Sequence, residues 1–185
     1  DFQVVDTVHY SQGHIYHTYM GLEPRLSASY LLDSTSSLKA SYSRTRQYLQ
    51  LASNSVGGSP LDVWFPASSY VKPQISDQVG VGYFRNFKEN TYEFSVEGFY
   101  KYMRNQIDFK DNANLILNNQ IETELRFGKA HSYGLEFLIR KNSGKFNGWI
   151  SYTLSKALRD FPEINKGEEY VASYDHPNNL AIVAS

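Results

Sequence analysis

The chain has 185 residues, a net charge of −1, no cysteine, and 15% aromatic residues, of which tyrosine is the commonest. These totals exclude disulfides, thiolate metal sites and cysteine nucleophiles, and offer no basic run for nucleic acid. A mean hydropathy of −0.48, with no apolar run of about 18–20 residues, excludes a spanning helix but not a barrel, whose alternating strands average out.

Residues 1–20 are polar-aromatic and irregular, with 4–10 as a short strand or loop edge. A first strand is predicted over 22–32. Leu22, Pro24, Leu26, Ala28, Tyr30 and Leu32 share one side, and Glu23, Arg25, Ser27 and Ser29 the other, because successive strand side chains point to opposite faces. Asp33-Ser34-Thr35-Ser36 reads as a tight turn of short polar side chains that bond their own backbone. The return strand spans 37–50, with Leu38, Ala40 and Tyr42 opposite Lys39, Ser41 and Ser43; Arg44 and Arg46 continue the Tyr42 side beyond the apolar zone. A long connection, 52–74, contains Gly57-Gly58-Ser59-Pro60, Pro66 and Pro73, and its apolar patch 61–65 is too weakly strand-like to place.

The third strand, 75–87, sets Val79, Val81 and Tyr83 against Gln78, Gly80 and Gly82. After a tight turn at 87–91 comes the clearest strand, 91–109. Tyr92, Phe94, Val96, Gly98, Tyr100 and Tyr102 form an uncharged side, while Glu93, Ser95, Glu97, Phe99, Lys101 and Met103 form a charged one. An asparagine-rich loop, 110–120, precedes the fifth strand, 124–141. There Tyr133, Leu135, Phe137 and Ile139 oppose Ser132, Gly134, Glu136 and Arg140. Asn142-Ser143-Gly144-Lys145 is the third turn. Strand 146–157 then places Phe146, Gly148, Ile150, Tyr152 and Leu154 against Asn147, Trp149, Ser151, Thr153 and Ser155. A third long loop, 158–179, leads to a seventh strand at 180–185.

Short turns thus alternate with long loops, and Ser34, Glu89 and Gly144 are spaced 55 positions apart. Outer-membrane barrels have this asymmetry, with short periplasmic turns and long extracellular loops. The expected fold is all-β: an antiparallel meander forming part of a large transmembrane β-barrel. The expected lipid-facing residues are Leu38, Tyr42, Val79, Val81, Tyr83, Phe94, Val96, Tyr100, Leu135, Phe137, Ile139, Ile150 and Tyr152. The expected lumen-facing residues are Lys39, Ser41, Glu93, Glu97, Lys101, Glu136, Arg140, Ser151 and Thr153. Open edges in lipid leave backbone groups unpaired at several kcal/mol each, so partner strands are expected outside this segment. The start, Asp1-Phe2-Gln3-Val4, has no signal-peptide pattern, and an internal piece of a longer exported chain is expected.

Four phrases carry a family likeness: E-P-R-L-S-A-S-Y-L-L at 23–32, S-L-K-A-S-Y-S-R-T at 37–45, V-K-P-Q-I-S-D-Q-V-G-V-G-Y-F at 71–84 and F-N-G-W-I-S-Y-T-L-S-K-A at 146–157. They resemble the barrel of TonB-dependent outer-membrane receptors. The wording is most similar to Bacteroidetes members with a carboxypeptidase-regulatory-like extension. Y-D-H-P-N-N-L at 174–180 resembles the family's turn into its next strand. The resemblance implies a barrel of about 22 strands in the bacterial outer membrane, closed by a plug that the TonB complex pulls on. It implies active uptake of a scarce nutrient, without enzyme activity or cofactor. Implied partners are outer-membrane lipid, TonB through a plug absent from this segment, and a substrate-binding surface lipoprotein. A secreted β-sandwich carbohydrate-binding module and a passive porin-like barrel are the alternatives.

His9, His14 and His17 could form a surface metal site, but the region lacks the helix that would put an i, i+3 pair on one side; loop histidines are the better reading, and no metal is expected. Asp175-His176 lacks a nucleophile elbow and reads as a loop-to-strand junction. Glu93 and Glu97 stand roughly 13 Å apart on a strand, too wide for a glycosidase pair. Trp64, Phe65 and Tyr70 in the long loop are the candidate substrate-contacting aromatics, with packing among loops as the simpler role.

Overall fold

A computed structural model describes residues 11–13, 15, 17–52, 62–116, 118 and 121–185. The strands in chain order are β1 (Arg25–Leu31), β2 (Ser36–Gln47), β3 (Leu49–Ala52), β4 (Val63–Pro66), β5 (Gln74–Phe87), β6 (Tyr92–Phe109), β7 (Leu125–Lys141), β8 (Gly148–Asp160), β9 (Tyr170–Val171) and β10 (Asn178–Ala184). The main sheet runs β1-β2-β5-β6-β7-β8-β10, with β9 paired to β8, and every pairing is antiparallel. Two short 3-10 turns, Ile121–Glu124 and Asn165–Gly167, lie in the long loops.

One end of the sheet is closed by the short connections. Asp33 Oδ1 accepts from both the Thr35 N–H and the Thr35 hydroxyl at 2.7 Å, which fixes the first turn. Neighbouring turns are tied sideways: the Asn86 N–H donates to Thr35 O and the Asn142 N–H to Thr91 O, both at 2.8 Å. All three long connections emerge at the other end.

Several boundaries differ from the expected ones, among them the start of β8, which leaves Phe146 and Asn147 outside the strand. Leu22 and Pro24 stay outside β1, although Pro24 O still accepts the Arg44 N–H at 2.9 Å. The return strand breaks at Tyr48, and Leu49–Ala52 leaves the main sheet to pair with Val63–Pro66 in a separate hairpin. That hairpin contains part of the patch 61–65. β8 runs on to Asp160 because Leu158 and Arg159 find partners in β9. The last strand starts at Asn178, where it meets Leu154. The short strand or loop edge expected at 4–10, together with His9 and His14, lies outside the described residues.

No second layer covers the broad faces of the main sheet among the described residues. Val81 is 62% exposed, Ile139 54%, Ile150 48% and Leu135 46%. A sandwich module would bury one of these faces. The buried cluster sits instead at the long-loop end, where Ala52, Phe65 and Val71 pack on Ile107, Phe109 and Leu125. The accessible surface is 13159 Å² for a 21.2 kDa chain, against about 9,100 Å² expected of a compact domain of that mass. The excess is the signature of a sheet built to be covered by something else.

β6 carries a bulge between Arg104 and Gln106 as it leaves the long central pairing. The extra residue, Asn105, adopts φ 57, a left-handed conformation that asparagine tolerates. Its side chain donates to Pro73 O at 2.9 Å, so the bulge anchors the start of β5.

Candidate functional site

The register assembles the sequence's alternating residues into rows. On one face, Leu38, Tyr83, Val96, Phe137 and Tyr152 lie side by side across five strands. The next rows toward the loops are Ala40, Val81, Gly98 and Leu135, then Tyr42, Val79, Tyr100 and Tyr133. The row toward the turns holds Phe94, Ile139, Ile150 and Ile182. All thirteen residues expected to face lipid thus share one face.

Charge on this face gathers at its two ends, with Lys156, opposite Tyr133, set further in. At the turn end stand Arg85 and Lys141, with Lys88 and Lys141 over the Tyr92 ring at 5.7 and 6.0 Å and Arg85 over Phe87 at 4.9 Å. At the loop end Asp77 is shared by two arginines, Arg44 Nε at 2.6 Å and Arg104 at 2.7 Å, and the Tyr42 hydroxyl donates to it at 2.7 Å. Along β7 the interval from Lys129 to Lys141 spans about 40 Å at about 3.3 Å per residue. At a barrel tilt of about 40° that is about 30 Å of height, the thickness of a bilayer's hydrocarbon core.

The opposite face holds the other set. Lys39, Gly82, Glu97, Glu136 and Thr153 share one row, and Ser41, Gly80, Phe99 and Gly134 the next. Lys101 stands between Gln78 and Ser132, and Ser151 beside Leu138. Arg140 reaches Glu93 at 3.5 Å, and Lys39 Nζ lies 4.1 Å from the Phe84 ring centre. Glu97 and Glu136 are directly opposite and both exposed. Like charges so placed repel, and only a wet surface makes that tolerable. Phe99 lies over Gly134, where a Cβ would fall 2.9 Å from its ring.

The loop end separates the three candidate aromatics. Trp64 is 57% and Tyr70 75% exposed, whereas Phe65 is 3% exposed and meets Phe109 edge-on at 6.4 Å. A substrate-contacting role for Phe65 is therefore corrected to packing, since β4 alternation turns it away from Trp64. The His17 ring meets Tyr19 at a tilt of 58°, with centroids 4.3 Å apart. Among the described residues no cluster of three or more His, Asp or Glu side chains could hold a metal. Asp175 accepts the Ala157 N–H at 2.8 Å and His176 O accepts the Ser155 hydroxyl at 3.3 Å, bonds of a structural junction.

Two clusters escaped the sequence reading. Asp77 continues the apolar side of its strand, and its parity with Val79 and with Arg44 was the available signal. The second is Asp108, which pairs with Arg159 at 2.7 Å and accepts the Tyr170 hydroxyl at 3.1 Å. Arg159 also donates to Ile107 O at 2.9 Å and covers the Phe161 ring. Burial pushes the Tyr170 phenol up to about 12, against the opposing pull of Arg159. This network folds the β8–β10 loop back onto β6, and no local pattern announces it.

A single-layer antiparallel meander, apolar on one face and charged on the other, with turns and loops segregated to opposite ends, defines a segment of a membrane β-barrel wall. Among known families, residues 3–181 match "TonB dependent receptor-like, beta-barrel". The chain belongs to this TonB-dependent receptor-like β-barrel family, whose place is the bacterial outer membrane. Similar solved structures include the ferripyoverdine receptor of the outer membrane of Pseudomonas aeruginosa bound to ferripyoverdine (17% identity, TM-score 0.60, 88% of this chain and 20% of that one). The FpvAI–pyocin S2 complex is also similar (17% identity, TM-score 0.61, the same coverage). These likenesses show the fold, and the chain spans about a fifth of the length of those proteins. No curated protein matches by sequence.

Proposed function

We propose that this chain is part of the barrel wall of a TonB-dependent transporter that takes up a scarce nutrient across the outer membrane. The observation that carries the reading is the predominantly apolar face between two charged rims, of bilayer height, on a chain of this family. On this reading the face bearing Val81, Leu135 and Ile150 meets hydrocarbon, and the face bearing Glu97, Glu136 and Lys101 lines the lumen. The free edges of β1 and β10 take partner strands, because lipid cannot satisfy their backbone groups. The barrel closes at about 22 strands around a plug through which TonB acts. Trp64 and Tyr70 present their rings to substrate at the outer mouth. The Bacteroidetes subgroup and a surface lipoprotein partner rest on the wording of the phrases quoted above, and the protein is a transporter rather than an enzyme.

Growth under nutrient limitation tests the coupling. Deleting the receptor and deleting tonB should create the same nutrient requirement in the parent organism. A receptor-dependent growth advantage that survives loss of TonB would establish a passive porin instead.

A further inference from the structure

We infer that the β8–β10 loop is a fixed brim on the lumen side of the outer mouth, and that it stays seated on β6 and β7 while substrate enters. The mouth is then narrowed permanently on this side, with no lid opening there. The inference rests on the transporter reading above and adds to it a part of the mouth that does not move. The register decides the side. Gly128 and Ala130 have the parity of Gly134 and Glu136 on β7, and Arg159 is opposite Ala130. Arg126 has the same parity and is opposite Asp108. These residues continue the lumen face at and beyond the Lys129 rim, because directly opposed residues share a face.

The loop folds onto that face. Phe161, the first residue after β8, is 0% exposed. It rests on Gly128, where a Cβ would fall 2.5 Å from the Phe161 ring; only a missing side chain lets the ring sit so deep. Ile164 and Ala172, further along the loop, are buried as well. Polar contacts hold the loop between these points. Arg126 Nε reaches Glu163 at 2.6 Å, and the Asn165 N–H donates to Asp111 at 3.3 Å. Arg159 and the Tyr170 hydroxyl both donate to Asp108, at 2.7 and 3.1 Å. The far end is tied back to β8, where the Ala172 N–H donates to Ala157 O at 2.9 Å and Asp175 accepts the Ala157 N–H at 2.8 Å. Moving lids are drawn from weakly packed segments. Lifting this loop would bring Phe161 into water and break into the Arg159–Asp108 pair, whose side chains are only 13% and 19% exposed. A pair so enclosed leaves an uncompensated charge when it is opened.

The first test ties the brim down. The chain has no cysteine, and Asp111 and Asn165 are exposed. Asp111→Cys with Asn165→Cys in the full-length receptor therefore offers two accessible thiols for a short bismaleimide on intact cells, with a monofunctional maleimide as the control. Receptor-dependent growth under nutrient limitation should be equal with the bridge and with the control. Slower growth of the bridged cells identifies a moving lid and overturns the inference. Failure of the thiols to bridge, when both take the monofunctional reagent, overturns it too, since the two positions are then not neighbours. The second test is hydrogen exchange in the purified receptor. The Ile164 and Ala172 amides should be protected, and Asp108→Asn should speed their exchange about tenfold, as loss of charge-assisted contacts implies. Heat-modifiable migration on gels confirms that the variant barrel is folded. Unprotected amides in the parent receptor, or unchanged exchange in the variant, contradict a brim held by this network. Receptor-dependent growth that persists without TonB contradicts the transporter reading itself, a separate result.

Discussion

At the scale of single residues, neighbours in β4 have opposite fates. Phe65 fills the cluster with Phe109 and Leu125, and Phe65→Ala is expected to destabilise the hairpin region by about 3 kcal/mol, seen as faster amide exchange through Leu49–Ala52. Trp64→Ala should leave that exchange unchanged and weaken substrate binding by about tenfold, the scale of a moderate interface contact. Glu124 gives a pH-dependent counterpart. Burial works against its charge, but the Asn114 N–H at 3.0 Å and Lys110 at 3.1 Å outweigh it and hold the carboxyl below the ordinary glutamate range. A depressed folded-state value stabilises the loop above the unfolded-state value, and that stability is lost as pH falls through the folded one. Exchange protection of 110–116 should accordingly be full near neutral pH and decline in acid below the usual glutamate range, and Glu124→Gln should abolish the decline. The alternating parity of Phe94, Val96, Leu135 and Phe137 was legible in the sequence because a strand's period is local. The burial of Phe65 was not, since its partner is more than forty residues away.

At the scale of elements, the turns carry local strain. Lys88, Glu89 and Asn90 all have positive φ, 47, 54 and 66, a region where side chains other than asparagine or glycine are disfavoured. Glu89→Gly should raise the thermal stability of the β5–β6 hairpin by about 0.5–1 kcal/mol. At the start of β8, Gly148 has φ 153 and a Cβ there would collide with Val183 O. Gly148→Ala should loosen the β8–β10 pairing at a cost of about 2 kcal/mol, visible as exchange confined to 178–184. The three turns were readable from their Asp, Ser, Asn and Gly content. The β3–β4 hairpin was not, because its strands are four residues each and its pairing depends on a cluster assembled from β6 and β7. β8 likewise outran its expected end because β9 supplies partners from across a loop.

At the scale of the whole molecule, the chain exposes about 4,000 Å² more than a compact domain of its mass would, and Val81, Leu135 and Ile150 are among the large apolar side chains left exposed. Burying such area is worth roughly 25 cal/mol per Å², and within the described residues nothing supplies that burial. Hydrocarbon on one face and water on the other satisfies both sets of side chains at once. The most direct measurement places spin labels at Val81, Leu135 and Ile150, and at Ser41, Glu97 and Ser151, in the full-length receptor in bilayers. The account predicts high collision rates with oxygen for the first three and with a water-soluble nickel chelate for the second three. Equal access of both reagents to both sets, or access with the opposite preference, would contradict it.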